Sequence, residues 1–165
     1  MAPTIAEPSV ARVPLDQEQV VDAAAELADA EGLDALTLTR VAKELGVRQP
    51  ALYRHVESYQ DLLRLLSLRG REQLAAALSE AAIGVSGDEA VGAVGRAWRS
   101  TVLANPGLYE ATDRYPCAGD EELEEAVERI VGVIAQALAG FDLDDDHRVH
   151  SARALRSAFH GFCHL

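Results

Sequence analysis

The sequence predicts an all-α fold, and three observations carry that prediction. Ala and Leu dominate an apolar fraction of 48% while aromatics make up only 5%, and alternating β-branched stretches are scarce, so helix is favoured throughout. Apolar residues recur at three- and four-residue spacing, most clearly at Leu123, Val127, Ile130, Val131, Ile134 and Leu138. Turn clusters such as Gly84–Gly87 and Asn105-Pro106-Gly107 fall between these stretches, where they punctuate a chain of separate helices.

Taken in order, residues 1–14 hold three of the six prolines without an apolar or basic leader, and are expected to be an unstructured tail. Asp16 and Gln19 have the spacing of a capping box, opening a helix with Val20, Ala23, Ala24, Leu27 and Ala28 on one stripe up to Gly32. Thr37 is placed to cap a second helix over 39–45, which Gly46 ends because only Gly turns left-handed without a Cβ penalty. After Val47, Arg48 and Gln49, Pro50 stands where a new helix begins, since its missing N–H costs nothing there. That third helix, over 50–55, turns Ala51 and Leu52 inward and leaves Gln49, Tyr53, Arg54 and His55 outside. Two helices joined by a short Gly-containing turn form a helix-turn-helix, which presents the start of its second helix to the major groove of DNA.

Ser58 is placed to cap a long connecting helix over 59–82, with Gly70 weakening it by about 1 kcal/mol relative to Ala. The loop at Gly84–Gly87 marks the expected domain boundary, giving a tail (1–14), a DNA-binding domain (15–58), a connecting helix (59–83) and a helical ligand-binding and dimerisation domain (84–165). A helix over 88–104 turns Val91, Val94, Trp98 and Val102 inward and stops at Asn105-Pro106-Gly107. A short helical turn at 108–112 and a loop through Pro116 and Gly119 follow. Glu121, Glu122, Glu124 and Glu125 crowd the first turns of the helix over 120–140, where its dipole favours them. A last helix from about residue 144 carries Val149, Ala152, Leu155, Phe159 and Phe162.

The net charge of −12 is unevenly distributed. Residues 37–72 hold seven Lys/Arg against four Asp/Glu, leaving eight against twenty-three elsewhere, so DNA is attracted to one patch and repelled by the rest. Gln49 suits an adenine edge, and Arg54 a guanine edge or a phosphate. Thr37 and Thr39, at the start of the preceding helix, offer hydroxyl and backbone N–H groups to phosphate, with Arg40, Arg48, Pro50 and Ala51 completing the set.

The pattern L-T-x-x-x-V-A-x-x-L-G-V-x-x-P-A-L-Y-x-H-V resembles the N-terminal domain of the TetR family of bacterial repressors, over residues 15–66. Gln49-Pro50, Leu52-Tyr53 and His55-Val56 are similar to its tetracycline-repressor-like branch, and RSAFHGF at 156–162 looks like a segment near the family's C-terminal helices. The resemblance implies an N-terminal three-helix DNA-binding domain followed by a helical ligand-binding and dimerisation domain. It also implies that Tyr53 and His55 hold phosphates. Tyr59 stands where relatives often carry a phosphate-binding Lys, which implies weaker affinity and a shallower salt dependence. The expected function is a ligand-responsive repressor binding double-stranded DNA as a homodimer, on an inverted repeat whose half-sites lie about 34–36 Å apart. Relatives add a further long helix that completes a four-helix dimer interface. This chain is expected to be a shortened version or to build its dimer from less.

For the effector, Trp98, Tyr109, Tyr115 and Phe159, with Phe141, Arg96 and Arg99 nearby in sequence, are candidates for a cavity suited to a hydrophobic or anionic small molecule. Two other functions stay open: a ligand- or protein-binding module that keeps the helix-turn-helix as scaffold, and a metal-responsive regulator using His147 with His150, or His160, Cys163 and His164. No metal site is assigned, because neither set has a second ligand cluster at a familiar offset. No phosphate loop, nucleophile elbow or oriented catalytic set is present, so neither an enzyme nor a cofactor is expected. No apolar run approaches the ~20 residues of a membrane span, and two cysteines without a signal peptide point to reduced thiols in the cytoplasm.

Overall fold

A computed structural model of the chain describes residues 14–163. The expected tail lies outside the described residues apart from Pro14, and so does His164 of the histidine-cysteine set. The described residues form helices throughout: α1 (Gln17–Glu31), a 3-10 turn (Leu33–Ala35), α2 (Leu38–Glu44), α3 (Gln49–Leu52), α4 (Tyr59–Ala81), α5 (Gly87–Ala104), α6 (Pro106–Arg114), α7 (Glu121–Ala137), a 3-10 turn (Leu138–Gly140) and α8 (Asp145–Cys163). None of these helices is long and apolar enough to cross a membrane.

Local chemistry sets the helix starts. The Gln19 amide donates to Asp16 Oδ1 at 2.8 Å and the Asp16 amide donates back to Gln19 Oε1 at 3.1 Å, the reciprocal pair of a capping box. Thr37 accepts from the Arg40 amide, and Ser58 accepts from the Asp61 amide while Asp61 accepts from Glu57. At the end of α2, Gly46 has φ 64°, the Val47 amide reaches the Ala42 carbonyl and the Gly46 amide reaches Lys43. That is the Schellman arrangement, and it fixes the angle at which the chain leaves α2.

Two elements differ from expectation. The third helix is shorter than residues 50–55: α3 ends at Leu52, whose carbonyl collects the amides of both His55 and Val56. Leu52 and Val56 are both buried, so the chain tightens around that anchor and Tyr53 to His55 form turns rather than helix. The turn expected at 108–112 is a full helix, α6, opened by Pro106 and received on α1.

Two hydrophobic cores share α4. Its first half packs Leu62, Leu63 and Leu66 with α1, α2, Leu52, Val56 and with Leu108 and Ala111 of α6. Its second half packs Leu74, Ala75 and Leu78 with Val94, Trp98, Tyr109, Ile130, Ile134 and Ala152. Gly70 lies between the halves where α6 crosses, and a Cβ there would meet the Leu108 carbonyl at 2.9 Å. Its cost in helix propensity is therefore offset by a close helix crossing.

Gly107 makes the tightest approach. A Cβ on it would lie 2.1 Å from the Ala28 carbonyl oxygen, and beside it the Leu108 amide donates to Asp29 at 2.9 Å. Gly107→Ala is expected to destabilise the protein by roughly 3 kcal/mol through forced separation of α1 and α6. Gly132→Ala, with nothing within 4 Å on an exposed face of α7, is expected to stabilise by up to about 1 kcal/mol. Urea midpoints measure both, and a Gly107→Ala protein as stable as the parent would refute the close approach.

Candidate nucleic-acid interface

Leu38, Val41 and Ala42 of α2 face the core, which turns Thr39 and Lys43, one turn apart, to the outer face. The Schellman turn then brings Gln49 across α2. Thr39 Oγ1 donates to Gln49 Oε1 at 2.7 Å, and Gln49 Nε2 donates to the Tyr53 hydroxyl at 3.1 Å. The glutamine amide is thus held from both ends by side chains of α2 and of the turn after α3. One amide proton and one carbonyl lone pair of Gln49 remain, the donor–acceptor pair that an adenine edge requires. Tyr53 accepts in this chain, so its own O–H remains to donate, and its side chain is half-exposed. The single hydroxyl proton of Thr39 is engaged with Gln49, leaving its backbone N–H for an anion.

The cations sort themselves by partner. Arg40 pairs with Glu31 and donates to the Ala35 carbonyl, so this candidate guanidinium joins α2 to α1. Arg64 pairs with Asp120 and Glu122 at the start of α7, and these hydrogen bonds raise its pKa above the ordinary arginine value. Arg69 pairs with Asp22, and Arg71 is buried. Among the described residues Lys43, Arg48 and Arg54 form no ion pair, and all three are exposed. The positive face is therefore these three residues around the turn, and not the whole segment 37–72. Lys43 is the residue that sequence reasoning left out. Its signal was its place four residues after Thr39 on a helix whose core face was already legible.

The remaining candidates are placed as follows. Thr37 caps α2 in the open, Pro50 is exposed in the first turn of α3, and Ala51 is half-buried behind it. His55 is half-buried and its carbonyl accepts from Gln17 Nε2 at 2.9 Å. The Tyr59 ring packs against the N-terminal core at the first residue of α4.

Farther along the chain, three of the four effector candidates meet. Trp98 Nε1 donates to the Tyr109 hydroxyl at 3.1 Å, and the Trp98 and Phe159 rings lie 5.8 Å apart at 44°. The Tyr109 oxygen is 2.6 Å from His160 Nδ1, and burial pushes its hydroxyl pKa up to about 12. Tyr115 is elsewhere: its ring packs on the N-terminal core, while its carbonyl accepts from Arg71. Arg71 and Arg156 line the cavity beside Trp98 and Tyr109, and sequence reasoning assigned neither. Arg71 was findable as a charge on the buried stripe of α4, four residues after Ser67 and three before Leu74. Neither Arg96 nor Arg99 is among the lining residues.

Two of the histidines considered for metal, His147 and His160, have other partners. His147 Nδ1 is 2.7 Å from Asp144, which also caps α8 through the His147 amide. His160 lies between Tyr109 and Asp113. Among the described residues no group of three His, Cys, Asp or Glu is placed to hold a metal ion. Both cysteines are free thiols.

Comparison with known proteins bears on this arrangement. The family model "Bacterial regulatory proteins, tetR family" matches residues 20–66, and "Tetracyclin repressor-like, C-terminal domain" matches residues 91–165. An HTH-type transcriptional regulator of Mycobacterium tuberculosis is 35% identical over 156 residues, spanning 93% of this chain and 72% of that protein. The class D tetracycline repressor of Escherichia coli is 44% identical over 54 residues, covering 33% of this chain and 25% of its own length. Among solved structures, the Streptomyces coelicolor TetR family protein ActR in complex with (S)-DNPA superimposes with a TM-score of 0.63 at 25% identity, over 92% of this chain and 71% of that one. The two domain matches and a relative aligned over nearly the whole chain carry one conclusion: the protein belongs to the TetR family of DNA-binding transcription regulators.

Proposed function

We propose that this TetR-family regulator is a ligand-responsive repressor that reads an inverted-repeat operator as a homodimer. The observation that carries the proposal is the Thr39–Gln49–Tyr53 chain on the exposed face of the helix-turn-helix, flanked by Lys43, Arg48 and Arg54. In this reading Gln49 addresses adenine and Arg54 addresses guanine or phosphate, while Ala51 contacts a thymine methyl beside Pro50. Tyr53, His55, Tyr59, Arg48, Lys43 and the backbone at Thr37 and Thr39 hold phosphates and set the register. Arg40 works from behind, keeping α2 on α1.

Regulation follows the path of α4, which runs from Tyr59 beside the reading unit to Arg71 and Leu74 at the cavity. An effector bound among α4 to α8 shifts α4 and changes the spacing of two reading units in a dimer. Exposed Leu103 of α5 and exposed Val149 and Phe162 of α8 support an association surface in the C-terminal half. The complex of ActR with (S)-DNPA supports a small-molecule effector by family analogy.

Selection of bound sequences from random duplex DNA by the full chain is expected to enrich an inverted repeat, with sedimentation giving a dimer. Unpatterned DNA recovered by a dimeric protein would overturn the reading assignment, and a monomer would overturn the two-fold model. On the selected operator, Arg54→Ala is expected to cost roughly 1–3 kcal/mol and to relax base preference at one position. Lys43→Ala is expected to weaken all sequences alike and to lower the salt slope by about 1 for each half-site. Unchanged affinity and specificity in Arg54→Ala would place the contact elsewhere.

A further inference from the structure

Between α4, α5, α6, α7 and α8 lies a cavity of about 100 Å³. That is well below the ~300–1,000 Å³ of a drug-sized site and closer to the ~150 Å³ that holds a benzene ring. Part of its lining is apolar, from Trp98, Leu74, Val127 and Ile130. The rest carries an unusual charge pattern for a chain of net charge −12.

Two guanidinium groups, Arg71 and Arg156, line this one small space. Arg71 is only 7% exposed, and its hydrogen bonds go to neutral acceptors: the Ser67 carbonyl and hydroxyl, and the Thr112 and Tyr115 carbonyls at the end of α6. Arg156 is exposed at the mouth and forms no ion pair among the described residues. One carboxylate lies in the lining, Asp113, with Oδ1 3.7 Å from His160 Nε2. Burial drives the Arg71 guanidinium below the ordinary arginine range; Cys117, Asp113 and Asp120 pull the other way, and the nearby Arg156 pushes with burial. Two cations sharing a partly desolvated space repel, and an anion between them removes the repulsion. The Tyr109–His160 pair adds polar groups to the same lining.

Resting on the reading of this region as the effector site, we infer that the effector is a small aromatic monocarboxylate of about benzoate size, its carboxylate held by Arg156 in front of Arg71 and its ring against Trp98 and Ile130.

Trp98 is the single tryptophan of the chain, so its fluorescence reports on the cavity directly. Benzoate and its neutral isostere benzamide are titrated into the full chain and into Arg156→Gln, a substitution at an exposed position that leaves both cores intact. Saturable quenching by benzoate is expected, with benzamide about tenfold weaker, and Arg156→Gln is expected to weaken benzoate about tenfold and leave benzamide unchanged. Equal affinities for benzoate and benzamide would overturn the anion assignment, as would unchanged benzoate affinity in Arg156→Gln or no saturable signal from benzoate. Operator binding measured with benzoate present separates the two readings. Benzoate that binds the cavity and leaves operator affinity unaltered supports the anion class and removes the effector role.

Discussion

A single helix, α4, is clamped along its length by two hydrophobic cores, and every other arrangement in the molecule depends on it. Leu62, Leu63 and Leu66 are committed to the reading module, while Leu74, Ala75 and Leu78 are committed to the C-terminal bundle. At 1.5 Å per residue its 23 residues extend about 34 Å. In the proposed regulation a helix packed in this way moves as a rod and carries a displacement at Arg71 to Tyr59. The energy required is modest, since a thousandfold change in operator affinity needs about 4 kcal/mol of differential effector binding between two positions of the rod.

A second connection runs through α6. Gly107 lies against the Ala28 carbonyl, Asp29 receives the Leu108 amide, and Arg114 pairs with Asp34 and Glu110. The end of α6 that carries Arg114 also offers the Thr112 and Tyr115 carbonyls to Arg71 of α4. The helix therefore touches the reading module, the rod and the cavity at once. Close packing leaves such a joint few positions, which favours discrete states over gradual bending.

What was legible in the sequence was local. Asp16, Thr37 and Ser58 name their helices because a cap bonds amides two or three residues away, and Gly46 names its turn because no other residue is comfortable at φ 64°. The candidate interface residues were chosen from those boundaries. What was hidden depends on residues far apart in the chain. The length of α3 is set by how Leu52 and Val56 bury together, and the room at Gly107 is set by Ala28 on another helix. Tyr115 looks like any aromatic near Tyr109, yet the end of α6 turns its ring to the other core. Charge counting misled in the same way, because the partners of Arg64 and Arg69 lie 56 and 47 residues away.

Under the proposed assignment of Gln49 as a base reader, the Thr39–Gln49–Tyr53 chain has a consequence for the thermodynamics of recognition. A free glutamine side chain loses up to about 2 kcal/mol of rotamer entropy when it is immobilised. Here folding has already immobilised it, so most of that loss is incurred before DNA arrives and does not diminish affinity at the moment of contact. The same rigidity narrows tolerance, because an amide held from both ends cannot swing to meet a different base. Freeing Gln49 from either neighbour would convert a fixed reader into a permissive one.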